Sequence, residues 1–468
     1  MFKSRLHLIS VPSMFPIKPC VHKGMVWLII LSSFAWSLSG CIPVKESKYV
    51  NTYAETDSEK DEGACIATDK NGNWYTVWAS MHPLGTLGTD WDVFGSWDRS
   101  NGKVWSNASP VNSNAANDGT DGDLDPALAI ADNGTMVAVW SSTNNNGNTI
   151  GDDLDIWFTR NSNIVSGGWD IEKPLHQQFA KSDGKWDDDE SPSIATDNKG
   201  NWVVVWMQRK TDDADLLYSY SSDDGVSWSS PKTLNSDAAT DTKFDYSPQI
   251  ATDGLGNWLV VWSKEGELYG EQQILVSKST DAGKNWSAQK HIHPYAFGFN
   301  PRIASGGNKT WIIVWSSIAD VTSGSLTMDA NIHISRSTDD GANWTAPAYL
   351  NTDWPGSGSG IWIPIDSNPD LASDGKGNWV AVWDLWQGTT PLAPDIRIAY
   401  SSDNGVTWTA PEYLNPDWSQ STLSERYARV ATDQKGNWIV IWQTAAHVNG
   451  NTSQDSDIAV ARFTFPNP

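Results

Sequence analysis

Arg302, Asp370 and Arg429 stand at corresponding places in a repeated sequence, each immediately before an apolar Ile, Leu or Val. The same place reads Cys65, Ala127, Ser193 and Gln249 in the other copies. Corresponding positions in a repeat point in corresponding directions, so one carboxylate is expected between two guanidinium groups on consecutive units. Planar guanidinium forks suit anionic or sugar ligands through paired, charge-assisted hydrogen bonds. Beside them Glu425-Arg426-Tyr427 adds a third arginine, a carboxylate and a phenol. Arg302, Arg429, Arg426 and Asp370 are therefore the candidate ligand-binding residues, and Tyr427, Glu425 and Asp370 the candidates for catalysis. A row of salt bridges that merely fixes register is the structural alternative, which guanidinium groups turned away from a common channel would identify. Trp186, Trp362, Trp386 and Trp418 in the connections are candidates for stacking on sugar faces, and each could equally pack its own loop.

Several connections are acidic: Asp121/Asp123/Asp125, Asp187 to Glu190, Asp241/Asp245, Asp366 and Glu425. Solvation, carboxylates for sugar chemistry and a structural Ca²⁺ are the three readings. No loop has full EF-hand spacing, so the sequence names no metal-ligand set and no required cofactor.

The elements that must position these residues form one unit written seven times. Ile66-Ala-Thr-Asp69-Lys-Asn-Gly72-Asn-Trp74-Tyr-Thr-Val77-Trp78 recurs from Leu128, Ile194, Ile250, Ile303, Leu371 and Val430. A short apolar strand, a turn of Asp, Gly and Asn, and a strand such as Trp202-Val-Val-Val-Trp206 make a hairpin. Alternation places Trp202, Val204 and Trp206 on one face, where indoles pack between neighbouring sheets. A second hairpin follows, built on Ser-x-Asp-x-Gly-x-x-Trp. It reads Ser221/Asp223/Gly225/Trp228, Ser279/Asp281/Gly283/Trp286, Ser337/Asp339/Gly341/Trp344 and Ser401/Asp403/Gly405/Trp408. Gly permits the reversal, Ser and Asp bond turn amides, and Trp pins the hairpin, so this motif is structural.

That motif resembles the Asp-box, or BNR, repeat of the sialidase-like β-propellers, over nearly all of residues 42–468. The resemblance implies an all-β propeller, with two hairpins per four-stranded blade and seven units giving seven blades; six is the alternative. The last unit stops after Asp457-Ile-Ala-Val-Ala-Arg462, while Tyr49-Val50-Asn51 matches the fourth-strand ends Tyr349-Leu-Asn351 and Tyr413-Leu-Asn415. The N-terminal segment is thus expected to complete the last blade and hide an edge. No run carries helical periodicity. The connections Ala79–Trp91, Ser141–Asp152, His176–Glu190, Thr352–Asn368 and Asn415–Tyr427 share one rim, where binding is expected.

Membership among sialidases would imply three arginines around a substrate carboxylate, a Tyr nucleophile activated by Glu, and an Asp acid/base. The family's (Phe/Tyr)-Arg-Ile-Pro motif has no counterpart in the first unit, which reads Glu62-Gly-Ala-Cys65-Ile-Ala-Thr68. Phe299-Asn-Pro-Arg302-Ile-Ala, in the fifth, has Arg and Pro out of family order. In a regular strand Glu425 and Tyr427 share a face, while Arg426 and Arg429 do not share one with each other.

The 468 residues carry 32 basic and 56 acidic groups, a net charge of −24 that disfavours nucleic acid as a partner. Of 29 Trp, 19 occupy repeat positions. Residues 1–40 are basic, then apolar, and end Leu38-Ser39-Gly40-Cys41, which resembles a bacterial lipobox. The expected organisation is a signal peptide (1–40), a lipidated tether (41–47) attached through Cys41, and the propeller (48–468). Loss of residues 1–40 removes Cys20 and, with Cys41 acylated, leaves Cys65 without a disulfide partner. The expected protein is an exported, monomeric lipoprotein of the cell envelope, at the outer membrane or cell surface, touching membrane through its lipid alone. Three functions follow: binding of a glycan, polysaccharide or extracellular protein, sialidase-like exo-glycosidase activity, and a scaffold for assembling envelope proteins.

Overall fold

A computed structural model describes residues 48–51, 59–83, 90–115, 121–144, 153–176, 187–267, 271–292, 297–319, 326–351, 365–386, 394–414, 424–445 and 456–465, all within the unit Cys41–Pro468. Every regular element among them is a β-strand, and the arrangement is a β-propeller. Cys41, the tether, and the rim tryptophans Trp186, Trp362 and Trp418 lie outside the described residues.

The third repeat shows the plan: Asp188–Thr196, Trp202–Lys210, Asp213–Ser221 and Lys232–Thr233 pair in that order, each antiparallel to the last. Five such four-stranded sheets stand separately. Where seven separate sheets were expected, residues Gly298–Tyr349 and Ile365–Tyr413 instead form one eight-stranded sheet. A parallel pair, Ala330 with Ile365, joins its two halves. The sheet of Glu425–Thr432, Asn437–Thr444 and Asp457–Thr464 takes its fourth strand from Lys48–Tyr49. The innermost strands neighbour one another in a closed circuit: Asp61–Thr68, Asp123–Ile130, Asp188–Thr196, Asp245–Thr252, Gly298–Gly307, Ile365–Ser373 and Glu425–Thr432, the last lying beside the first.

Second strands are buried on both faces because each sheet is packed between two others. Trp202, Val204 and Trp206 meet Val137, Val139 and Ile156 of the preceding sheet, while Val203 and Val205 meet Trp258, Val260 and Trp262 of the following one. Replacing such an indole by Ala is expected to cost about 3–5 kcal/mol.

The Asp-box turns are a second inter-sheet contact. Ser221 Oγ donates to Asp223 Oδ1 at 2.7 Å and accepts the Gly225 amide at 3.0 Å, while Asp223 Oδ1 accepts the Ser227 amide at 2.9 Å. Gly225 adopts φ 78°, and a Cβ there would lie 2.8 Å from Val137 Cγ2 of the preceding sheet. Gly283 and Gly405, both at φ 77°, are closer still, since a Cβ would strike Val203 and Ile312 respectively. Gly102 approaches Ile439 in the same way, docking the first sheet on the last. The motif's indoles reach beyond the hairpins that they were expected to pin. Trp228, Trp344 and Trp408 are half-buried against apolar clusters that include side chains of the preceding sheet. Trp228 meets Phe158 edge-on at 5.8 Å, whereas Trp344 Nε1 donates to Gly341 O of its own turn at 3.1 Å. The reason is spatial: the glycine brings the turn so near the neighbouring sheet that the indole three residues on reaches it too.

A third device was not anticipated. The Asn that follows a fourth strand bridges two sheets. Asn235 Nδ2 donates to Asp215 Oδ1 and to Asp245 Oδ2 of the next sheet, both at 2.9 Å, while its Oδ1 accepts the Leu216 amide at 3.1 Å. Asn112 does the same between Asp92 and Asp123, Asn351 between Asn331 and Asp366, and Asn51 between Asp457 and Asp61. The next sheet's closing indole completes the cluster: Trp140 donates to Asp123 at 3.0 Å, Trp262 to Asp245 at 2.6 Å and Trp383 to Asp366 at 2.5 Å. Asp123, Asp245 and Asp366 are buried parts of this inter-sheet network. Burial pushes Asp245 up to about 8 against the pull of Lys264.

Candidate functional site

Each innermost strand carries a β-bulge at the same place, opposing three steps of its own chain to two of its partner, for example between Arg426 and Arg429. The bulge holds one residue in the left-handed region: Gly63, Asp125, Ser191, Ser247, Asn300, Asn368 and Tyr427, at φ 50° to 67°. An extra residue reverses strand parity. Consequently the residue two before the bulge, such as Asp245 or Glu425, is buried at the inter-sheet position, while the residue two after it faces the ring axis. Ser and Asn tolerate this conformation, and Pro follows at 126, 192, 248, 301 and 369. That repeated Asp-, Ser- or Asn-Pro pair was the available sequence signal for the bulge.

The axial side is a cavity of about 660 Å³. Cys65, Ala127, Ser193, Gln249, Arg302, Asp370 and Arg429 all line it. The Asp-box residues Trp228, Gly283, Trp344, Gly405 and Trp408 do not, because the turn after each third strand lies at the far side of its sheet from the innermost strand. Arg302 Nε lies 3.7 Å from Asp370 Oδ1, and Asp370 Oδ2 accepts the Val430 amide at 2.9 Å. The guanidinium groups are steadied by the preceding carbonyls: Arg429 Nη1 donates to Ala428 O at 2.9 Å and Arg302 Nη1 to Pro301 O at 3.4 Å. Burial, then Arg429, lowers Arg302 to about 9, with Asp370 acting in the opposite direction, so the side chain keeps its charge at neutral pH. Burial raises Asp370, and Arg429 and Arg302 oppose the rise. Two cations thus flank one carboxylate here, while Glu62 and Asp125 bring further carboxyl groups to the same cavity. Burial also pushes the Cys65 thiol up, which the Leu128 carbonyl and Arg429 offset in part, so it is poorly suited as a thiolate nucleophile.

Tyr427 lines the cavity and is 39 % exposed. Its amide donates to Asp384 Oδ1 at 3.0 Å and Oδ2 at 3.2 Å, and Asn368 Nδ2 donates to Asp384 Oδ2 at 2.8 Å. Asn300 in turn donates to Asn368 Oδ1 at 2.8 Å, so a polar chain ties three bulges together. Burial raises Asp384 to about 6 despite these donors. Arg426 is placed apart from the other two arginines, with its guanidinium 5.6 Å from the Trp386 ring centre and 5.7 Å from that of Tyr427. Glu425 is buried at the inter-sheet position, whereas Tyr427 faces the cavity. The structure thus brings Arg302, Asp370 and Arg429 together, groups Arg426 with Trp386 and Tyr427, and sets Glu425 elsewhere.

The sequence reading also missed a buried group between the second and third sheets. Asp155, His176 and Asp189 present ligand atoms within 4.8 Å of one another. His176 stands where four other junctions have Asn51, Asn112, Asn235 or Asn351, a difference visible by aligning Leu175-His176 with Leu234-Asn235. Burial, then Asp189, pushes Asp155 up to about 8.

No model of a known protein family matches the chain. A sialidase from Bacteroides fragilis is 24 % identical over 206 residues, covering 36 % of this chain and 35 % of that protein. The match therefore spans about a third of the length of that curated relative. Among solved structures, an ulvan lyase of polysaccharide lyase family PL25 superposes with a TM-score of 0.52 at 11 % identity, over 86 % of this chain and 91 % of the lyase. The same lyase bound to -[GlcA(1-4)Rha3S]- gives 0.51. The NanB sialidase from Streptococcus pneumoniae gives 0.44 at 10 % identity, over 91 % of this chain and 70 % of NanB. The fold is a sialidase-like β-propeller. The Asp-box turns described above are the local form of that likeness.

Proposed function

We propose that this propeller binds an acidic glycan at its axial cavity, with Arg302 and Arg429 gripping an anionic group and Trp386, Tyr427 and Arg426 flanking it. The observation that carries the reading is the pair of arginines set side by side on the cavity wall about Asp370, two neighbouring cations in a protein of net charge −24, with Glu62 and Asp125 elsewhere on the same lining. The relatives lend support: one is a sialidase, and the ulvan lyase is bound to a fragment containing a uronate and a sulfated sugar. We read the eight-stranded sheet as two blades bridged at Ala330 and Ile365, which makes a ring of seven. The repeated bulge and the circuit of inner strands support that count. The lipobox-like Leu38-Ser39-Gly40-Cys41 supports an exported, envelope-tethered protein, and Cys41→Ser is expected to move it from the membrane fraction to the soluble one.

The test is a glycan array of sialylated, uronate-containing, sulfated and neutral oligosaccharides, run beside a fluorogenic sialoside assay on the full-length protein. Binding of acidic glycans that is lost in Arg429→Ala, without turnover, is the expected result. Turnover that Arg429→Ala abolishes would replace this reading with exo-glycosidase action, which the Bacteroides fragilis match favours. Against that second reading, two arginines rather than three share the wall, and Glu425 and Tyr427 occupy different environments.

A further inference from the structure

The junction between the second and third sheets departs from its neighbours in a way that calls for a cation. At four other junctions Asn51, Asn112, Asn235 or Asn351 supplies one amide nitrogen with two hydrogens, and each hydrogen satisfies a different carboxyl or amide oxygen. At this junction the corresponding oxygens belong to Asp155 and Asp189, and the residue between them is His176. An imidazole nitrogen can offer one hydrogen at most. His176 Nε2 lies 3.2 Å from Asp189 Oδ2, and Asp155 Oδ2, on a side chain only 5 % exposed, has no hydrogen-bond partner among the described residues.

We propose that Asp155, His176 and Asp189 hold a divalent transition-metal ion of the zinc class, joining the second sheet to the third. The donor set is one imidazole nitrogen and two carboxylate oxygens, which suits zinc rather than calcium, whose sites take six to eight oxygens. Zinc bonds of about 2.0–2.1 Å in tetrahedral geometry set neighbouring ligand atoms about 3.3 Å apart. The separation of His176 Nε2 from Asp189 Oδ2 already has that value, and all three ligand atoms fall within 4.8 Å of each other. Two charges on the cation balance the two carboxylates, whereas a neutral imidazole balances neither. The ligands are also held from behind. The His176 ring stacks on Trp206 at 5.7 Å and 15°, and Gln208 Nε2 donates to Asp189 Oδ1 at 3.2 Å, leaving Oδ2 for the cluster. Water fills the fourth position of a three-ligand site. The ion would take over the sheet-bridging role that Asn plays elsewhere.

The test uses the full chain purified in detergent, stripped with EDTA and titrated with ZnCl₂ by calorimetry, with metal content measured after gel filtration. One equivalent of zinc per chain is expected, together with a Tm that falls on stripping and recovers on adding zinc. His176→Asn installs the bridge used at the four junctions named above, so this variant should fold, bind at least tenfold less zinc and ignore EDTA. If that variant fails to fold, Asp155→Asn, which keeps the shape and removes one ligand, should show the same loss of zinc. Less than a tenth of an equivalent in the wild type, uptake of calcium without zinc, or equal uptake in wild type and folded variant would each overturn the proposal.

Discussion

Replacing Asp370 by Asn should tighten the binding of an anionic glycan, and this is the sharpest consequence of the arrangement on the cavity wall. Asn keeps an oxygen for the Val430 amide, now 2.9 Å from Asp370 Oδ2, and nearly the same volume. What it removes is the one negative charge beside the two guanidinium groups, 3.7 Å from Arg302 Nε. An anion seated between the arginines would lie about 6 Å from that carboxylate, a repulsion of about 3 kcal/mol at an effective dielectric of about 20. Water and salt in the open cavity reduce this to about 1–2 kcal/mol, or about 5- to 30-fold in Kd. Arg429→Ala should shift Kd by a similar factor in the opposite direction. Calorimetry with the best acidic oligosaccharide from the array, at about 0.05 M and about 0.5 M salt, measures both, and the Asp370→Asn gain should shrink at the higher concentration. The cost is structural, since two half-buried cations lose their counter-charge, so the variant should melt below the wild type. Weaker binding by Asp370→Asn, with Arg429→Ala also weaker, would mean that Asp370 touches the ligand as an acceptor. No change in either variant would remove the arginines from the binding site.

Two further outcomes test the scaffold. Asn235→Ala deletes bonds to Asp215, Asp245 and the Leu216 amide and leaves two buried carboxyl groups facing each other; a loss of about 3–5 kcal/mol is expected in denaturant unfolding, and Asn235→Asp should lose more. Asp384 has its pKa raised to about 6 in the fold, so its proton stabilises the folded chain at low pH and that contribution fades as pH rises from about 4 through 6. Asp384→Asn cannot titrate, so the stability difference between wild type and variant should drift by up to about 3 kcal/mol over that window and stay flat above pH 7, as followed by unfolding at a series of pH values.

Much of the fold was legible because its strongest signals are local. The Trp202-Val-Val-Val-Trp206 strand announces a sheet buried on both faces, and the Ser-x-Asp-x-Gly-x-x-Trp turns fix where each second hairpin reverses. What that turn motif does not disclose is its neighbour: nothing local to Gly283 or Gly405 points to Val203 or Ile312, one sheet away. The pairing of Lys48–Tyr49 with Val460 and Ala459 followed from a missing strand at one end and a spare one at the other. The site was legible to the extent that corresponding positions could be aligned, which placed Arg302, Asp370 and Arg429 on one wall. Strict two-residue alternation was the source of the misreading at Glu425 and Tyr427. Counted as a regular strand they share a face, but the bulge at Tyr427, with φ 58°, separates them. The acidic links stayed open to three readings, none of them an inter-sheet bridge, because no local pattern reveals that Asp123, Asp245 and Asp366 meet an Asn from the preceding sheet. Those contacts exist only once the ring closes.

The bulge therefore does more than bend the inner strand. A regular strand would turn the buried Asp and the cavity residue to faces set by their spacing alone, and one sheet could not serve both its neighbour and the axis. With one extra residue per strand, Asp245 bonds Asn235 and Trp262 on the packing side while Gln249, four residues on, reaches the cavity. The same offset in the last two repeats converts Gln249 into Asp370 and Arg429 without disturbing the sheets behind them. Changes in ligand chemistry can thus be confined to one axial position per repeat. For this reason the charge of the wall, rather than the propeller itself, is what the Asp370 and Arg429 variants interrogate.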